Sequence, residues 1–146
     1  MNAELKQNMN RLLANLNVLY MKLHHFHWFV KGPNFFTLHE KFEELYDEVT
    51  EYSDEIAERL LQKNEKPIST LKECLELATI QEASSVGTDV EMVEELINDL
   101  ETINKELQEG IKIAGELEDE VTVDILLGIS QSFEKHIWMY SAFTEK

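Results

Sequence analysis

Two histidines and three acids, His27, His39, Glu43, Asp54 and Glu58, stand at helical spacing among apolar residues. His39 and Glu43 are four apart, as are Asp54 and Glu58, so each pair shares one helix face. Imidazoles with hard carboxylates suit Fe(II), Mn(II) or Zn(II), without a role for the single cysteine, Cys74. Carboxylates favour Fe(III) over Fe(II) because they are hard and anionic. With one or two open positions, such a site binds peroxide or oxygen and passes it electrons. Trp28, directly after His27, is a candidate electron relay, with packing beside the site as its plain alternative.

Long helices must position these groups. Leu5, Leu12, Leu16, Leu19, Leu23 and Phe26 recur every three or four residues and predict helix A over 4–31. Val18, Met21 and Val30 lie off that stripe, so more than one face of helix A is expected to be covered. Gly32-Pro33-Asn34 ends it. Leu38, Phe42, Leu45, Val49, Tyr52, Ile56 and Leu60 predict helix B over 36–62, entered at Asn34 or at Thr37 with Glu40 closing a capping box. The short turn makes A and B antiparallel. Lys66-Pro67 opens a long connection with a short helix over 70–78, capped by Ser69 or Thr70, and a loop over 84–88. Helix C is expected over 89–115, weakened at its end by Gly110 and Gly115. Ile97 and Ile111 are among the residues expected inward on it. Helix D is expected over 120–143 with Ile125, Leu127 and Ile137 among its inward residues. The result is an all-α chain, one domain over 1–146. Four long helices with one long BC crossover form the ferritin-like variation on the four-helix bundle.

Helix arithmetic constrains the ligands. At 100° per residue, Glu43, Asp54 and Glu58 lie about 40°, 60° and 100° round from His39, on one stripe. Yet His39 and Asp54 are about 22 Å apart along the axis, whereas metal–donor distances are about 2 Å. One helix cannot bring both pairs to one ion. Either each pair joins other groups inside the bundle, or helix B meets a two-fold copy of itself near Glu48 and Val49. The second arrangement makes two equivalent sites per dimer. His27 joins His39 because helix A returns beside B through the tight turn. No histidine has a glutamate three residues before it, so the Glu-x-x-His pattern of single-bundle di-iron sites is absent. This favours the interchain site.

The formal net charge of -16 opposes binding to a phosphate backbone and concentrates cations instead, although a merely solubilising charge is the simpler alternative. No apolar run approaches the roughly 20 residues that cross a membrane. The N-terminal MNAELKQNMN has neither the apolar stretch of a signal peptide nor a basic tail. One cysteine excludes an intrachain disulfide and fits a reducing compartment, so a cytoplasmic location without an organic cofactor is expected. His24 and His25 read as packing or surface groups, His136 as a satisfied interface histidine, and Cys74 as structural.

The run His27-Trp28-Phe29-Val30-Lys31-Gly32-Pro33-Asn34-Phe35-Phe36-Thr37-Leu38-His39-Glu40-Lys41-Phe42-Glu43-Glu44-Leu45-Tyr46 resembles the Dps family of twelve-subunit mini-ferritins. Asp54-Glu55-Ile56-Ala57-Glu58-Arg59-Leu60 and Glu134-Lys135-His136-Ile137-Trp138-Met139 extend the likeness to nearly the whole chain, with Gram-positive members the most similar. The resemblance implies a hollow dodecamer built from two-fold dimers. It implies ferroxidase centres in which His27, His39 and Glu43 of one chain face Asp54 and Glu58 of its partner, with one or two iron positions each. Glu43 stands where the pattern more often has Asp. The implied activity is oxidation of Fe(II), preferably by hydrogen peroxide, with ferric oxide stored inside. Glu120 and Asp124, with Asp119 the weaker candidate, resemble acids lining the family's iron pores, though a solvated helix start would also favour acids. Relatives that compact DNA do so through basic termini, so weak or absent DNA binding is expected. The second functional reading is a nucleoid-associated DNA-binding protein with iron oxidation secondary.

Overall fold

The computed structural model describes residues 1–84 and 86–145. Ser85, in the expected second loop, and Lys146, the last residue of the expected domain, lie outside the described residues. Five helices follow in order: α1 (Ala3–Phe29), α2 (Phe35–Gln62), α3 (Leu71–Leu77), α4 (Asp89–Glu116) and α5 (Glu120–Thr144). No strand occurs among the described residues. The fold is all-α and ferritin-like, with antiparallel hairpins α1–α2 and α4–α5 joined by a crossover that carries α3. No helix among the described residues is long and apolar enough to cross a membrane.

The core forms where the apolar stripes meet. Leu5, Leu12, Leu16, Leu19, Leu23 and Phe26 of α1 are essentially inaccessible, as are Phe42, Val49, Ile56 and Leu60 of α2. Leu96, Leu100, Ile103 and Leu107 of α4 and Leu126, Ile129 and Phe133 of α5 complete it. Val18 and Val30 are also buried, so α1 is covered on more than one side, but Met21 is exposed. On α5 the expected inward pattern is too wide. Leu127 is exposed, and Ile125 and Ile137 are half-buried, as are Ile97 and Ile111 of α4.

Helix ends depart from expectation where local chemistry decides them. α1 stops at Phe29 rather than Lys31 because Val30 is extended ahead of Gly32, whose φ of 101° only glycine adopts without strain. The Thr37–Glu40 capping box does not form, since both residues lie inside α2, which starts at Phe35. The N-cap Asn34 turns its amide to Asp89 Oδ2 at 2.9 Å, tying the α1–α2 turn to the start of α4. At α3 the cap is Thr70, whose hydroxyl accepts from the Glu73 N–H. Thr88 and Glu91 build a reciprocal capping box at α4. α4 runs past Gly115 to Glu116 and closes in a Schellman turn, with Asp119 N–H donating to Ala114 and Glu118 N–H to Gly115. Its left-handed residue is Glu118, at φ 57°.

Two buried asparagines of α1 hold the crossover. Asn10 donates to the Lys66 carbonyl and accepts from the Ile68 N–H. Asn15 accepts from the N–H groups of both Thr79 and Ile80 and donates to Thr79 Oγ1 and Glu106. The segments on both sides of α3 are thereby fixed to α1 and α4. Lys22, also buried, reaches α4 with Nζ 2.6 Å from Asp99 and 3.0 Å from Glu95.

Candidate metal centre

The tight turn brings the last turn of α1 against the start of α2, and with it His27 against His39. The two imidazoles stack with centroids 3.7 Å apart and planes 10° from parallel. Each ring is held by the other residue's backbone. His27 Nδ1 lies 2.6 Å from the His39 carbonyl oxygen, and His39 Nδ1 lies 2.7 Å from that of His27. The His27 carbonyl belongs to the final turn of α1, where carbonyls lack an intrahelical partner, so His39 satisfies a group that would otherwise be orphaned. A carbonyl can only accept, so Nδ1 carries the proton in both neutral rings. Each Nε2 therefore keeps its lone pair and is the ring nitrogen left available to a metal.

Glu43 adds a carboxylate. Its Oε1 lies 3.7 Å from His27 Nε2 and accepts a hydrogen bond from the Tyr46 phenol at 3.2 Å. Phe35 stacks on the far side of His39 with centroids 4.9 Å apart, so the imidazole pair is flanked by an aromatic ring. His24 stacks on Tyr46, and His25 packs against Phe26 and Phe29. Neither adjoins the imidazole pair as Glu43 does. Trp28 is exposed and touches His24 edge-on.

Asp54 and Glu58 form a separate group four turns further along α2. Both are exposed. The Asp54 carboxylate, which accepts from the protonated Glu58 carboxyl and repels its ionised form, pushes Glu58 above its ordinary value. Among the described residues, no group of three or more His, Cys, Asp or Glu side chains is arranged to hold a metal ion. The chain thus places His27 of α1 beside His39 and Glu43 at one end of α2, and Asp54 with Glu58 as a separate pair further along α2.

Exposed apolar groups border both sets. Tyr20, Met21, Trp28 and Phe29 stand on α1 near the histidines. Leu71, 80% exposed, lines a groove together with Asp54, Ser53, Ala57 and Thr70. Buried Cys74 lies at the same groove, where burial pushes its thiol up, which suits packing rather than reactivity. His136 Nε2 lies 2.5 Å from Glu48 Oε2 of the same chain, so its ring has a partner within the fold.

The three acids at the start of α5 differ in what they touch. Glu120 and Asp124 are exposed and four apart, on one face. Asp119 is the N-cap. It accepts from the Thr122 N–H and hydroxyl, and from Arg59 Nη2 at 2.9 Å. Burial works against its ionisation, but these hydrogen bonds and the Arg59 charge outweigh it and hold the carboxyl below its ordinary value. Its oxygens are occupied by the fold, unlike those of the other two acids. Tyr46 and the two backbone carbonyls are the site features that residue types alone did not single out. Tyr46 lies three residues after Glu43, which is contact spacing on a helix.

Known proteins resemble this chain in sequence and in fold. The ferritin-like domain family matches residues 6–146. General stress protein 20U of Bacillus subtilis is 50% identical over 143 residues, which span 98% of this chain and 99% of that protein. DNA protection during starvation protein 2 of Bacillus anthracis is 51% identical over 143 residues, 98% of each chain. The crystal structure of Dps from Staphylococcus aureus superposes with a TM-score of 0.96 at 45% identity, covering 99% of this chain and 98% of that one. Sequence and fold agree, and the chain belongs to the Dps family of ferritin-like proteins.

Proposed function

We propose that this chain is a ferroxidase and iron-storage protein whose centres are completed between two copies. The observation that carries the reading is the pair of imidazoles, His27 of α1 and His39 of α2, whose Nδ1 atoms are engaged by each other's carbonyls so that Nε2 is left free, with the Asp54–Glu58 pair standing apart further along α2. In a two-fold pair, His27, His39 and Glu43 face Asp54 and Glu58 of a second copy, giving one or two Fe(II) positions per centre. Two Fe(II) ions each lose one electron, hydrogen peroxide accepts both, and its O–O bond breaks to two hydroxides. Because both electrons arrive together, hydroxyl radical formation is limited. The ferric product collects inside a hollow homododecamer, reached past Glu120 and Asp124. Carboxylates favour the product oxidation state, and the net charge of -16 concentrates the incoming cation.

The names of the relatives point to DNA protection. An excess of 29 acidic over 13 basic side chains disfavours direct contact with phosphates, so protection here is chemical, by removal of Fe(II) and peroxide. Stopped-flow oxidation of Fe(II) by peroxide and by oxygen, on protein of measured assembly mass, tests the reading. Faster oxidation by peroxide in an assembly of about twelve chains is expected. Equal rates in the His27→Ala/Asp54→Ala protein would reject the centre. Saturable, salt-sensitive gel shifts by metal-free protein would instead favour nucleoid binding.

A further inference from the structure

Glu43 has a longer and more mobile side chain than an aspartate, and more than half of it is exposed. Left to itself, such a carboxylate samples several rotamers and presents its oxygens to a metal only part of the time. The structure restrains it through a residue outside the ligand set. The Tyr46 phenol donates to Glu43 Oε1, the same oxygen that lies 3.7 Å from His27 Nε2. Tyr46 is in turn fixed by α1. The His24 imidazole stacks on its ring, with centroids 3.9 Å apart and planes at 19°. Tyr20 meets it edge-on at 5.8 Å, and His27 itself lies perpendicular to it at 5.5 Å. His24 is anchored with Nδ1 3.0 Å from the Tyr20 carbonyl oxygen.

We propose that Tyr46 is a positioning residue for the metal centre, its phenol holding Glu43 Oε1 beside His27 Nε2 while the stacked His24 ring holds the phenol. The inference rests on the ferroxidase reading above and extends it to a hydrogen-bond partner of a ligand. An oxygen that accepts one phenol proton keeps a lone pair, and its neighbour Oε2 remains free, so the bond orients the carboxylate without closing it to a cation. Partners of this kind typically alter metal affinity without entering the coordination shell.

The test uses Co(II) alone, which reports binding by calorimetry and coordination by its visible absorption, on assembled wild-type, Tyr46→Phe, Glu43→Asp, Tyr46→Phe/Glu43→Asp and Glu43→Ala proteins. Tyr46→Phe keeps the ring and its stacking but removes the hydroxyl. It is expected to weaken Co(II) binding by about threefold to tenfold, the worth of one such hydrogen bond, and to shift the Co(II) spectrum. In the Glu43→Asp background the carboxylate is drawn back from the phenol, so Tyr46→Phe is expected to have no further effect. Wild-type affinity and spectrum in Tyr46→Phe would overturn the inference, as would an equal loss in both backgrounds. A Tyr46→Phe chain that failed to assemble would also overturn it, by placing the hydroxyl in the interface instead. If Glu43→Ala weakens binding while Tyr46→Phe does not, only the role of Tyr46 falls. If Glu43→Ala also leaves binding unchanged, the ligand assignment falls with it.

Discussion

At the residue scale, the candidate centre depends on which atoms are already engaged. His27 and His39 use Nδ1 on each other's carbonyls and keep Nε2, whereas Asp119 has its carboxylate bound to Thr122 and Arg59. This separates the three acids clustered at 119–124: a helix expected from residue 120 puts Asp119 at the cap, but only the fold shows Arg59 and Thr122 engaging its carboxylate. Asp119 also predicts a pH dependence. Its carboxyl is lowered in the folded chain, so its contribution is fully present above the unfolded value of about 4. That contribution is lost as pH falls through the lowered folded value. Asp119→Asn should destabilise the chain by about 2 kcal/mol at pH 7, with the difference from wild type shrinking in acid. Chemical denaturation at pH 7 and pH 3 measures this, and a gap that widened in acid would contradict the assignment.

At the element scale, the four long helices and the crossover were legible because their apolar periodicity is long and regular. Their ends were not, because they depend on contacts distant in sequence. Asn34 bonds to Asp89, fifty-five residues away, in place of the local capping box. The close of α4 illustrates the same limit. Gly115 looked like the stop signal, yet the left-handed position falls on Glu118. A non-glycine residue there costs about 1 kcal/mol, so Glu118→Gly should stabilise the fold by about that amount in thermal or chemical unfolding. No gain would show that the α4–α5 turn is not strained. The crossover gives a second prediction. Removing the Asn15 side chain leaves the Thr79 and Ile80 amides without their acceptor, a loss of about 1–3 kcal/mol. Asn15→Ala should accelerate hydrogen exchange at those two amides while leaving the centre of α2 protected. Uniform acceleration across the chain would mean that the clamp has no local role.

At the scale of the whole molecule, the proposed centre makes assembly part of the chemistry, because its two halves come from different chains. The separation along α2 was legible from rise per residue alone, about 22 Å between His39 and Asp54. The exposed apolar groups bordering each half were not, because Trp28, Leu71 and Leu75 look like core residues in a sequence and only the fold shows them uncovered. Iron uptake belongs to this scale too. Replacing Glu120 and Asp124 together by Asn or Gln should slow delivery of Fe(II) to the interior several-fold and leave assembly mass unchanged. Rates equal to wild type would remove the pore role. The most direct test of the interchain centre is complementation between two inactive chains, His27→Ala/His39→Ala and Asp54→Ala/Glu58→Ala. In a mixed pair, the intact histidines of one chain meet the intact acids of the other, so one centre in two is restored. Random co-assembly should recover about a quarter of the wild-type Fe(II) oxidation. Mixed assemblies as inactive as either parent would contradict a centre shared between two chains.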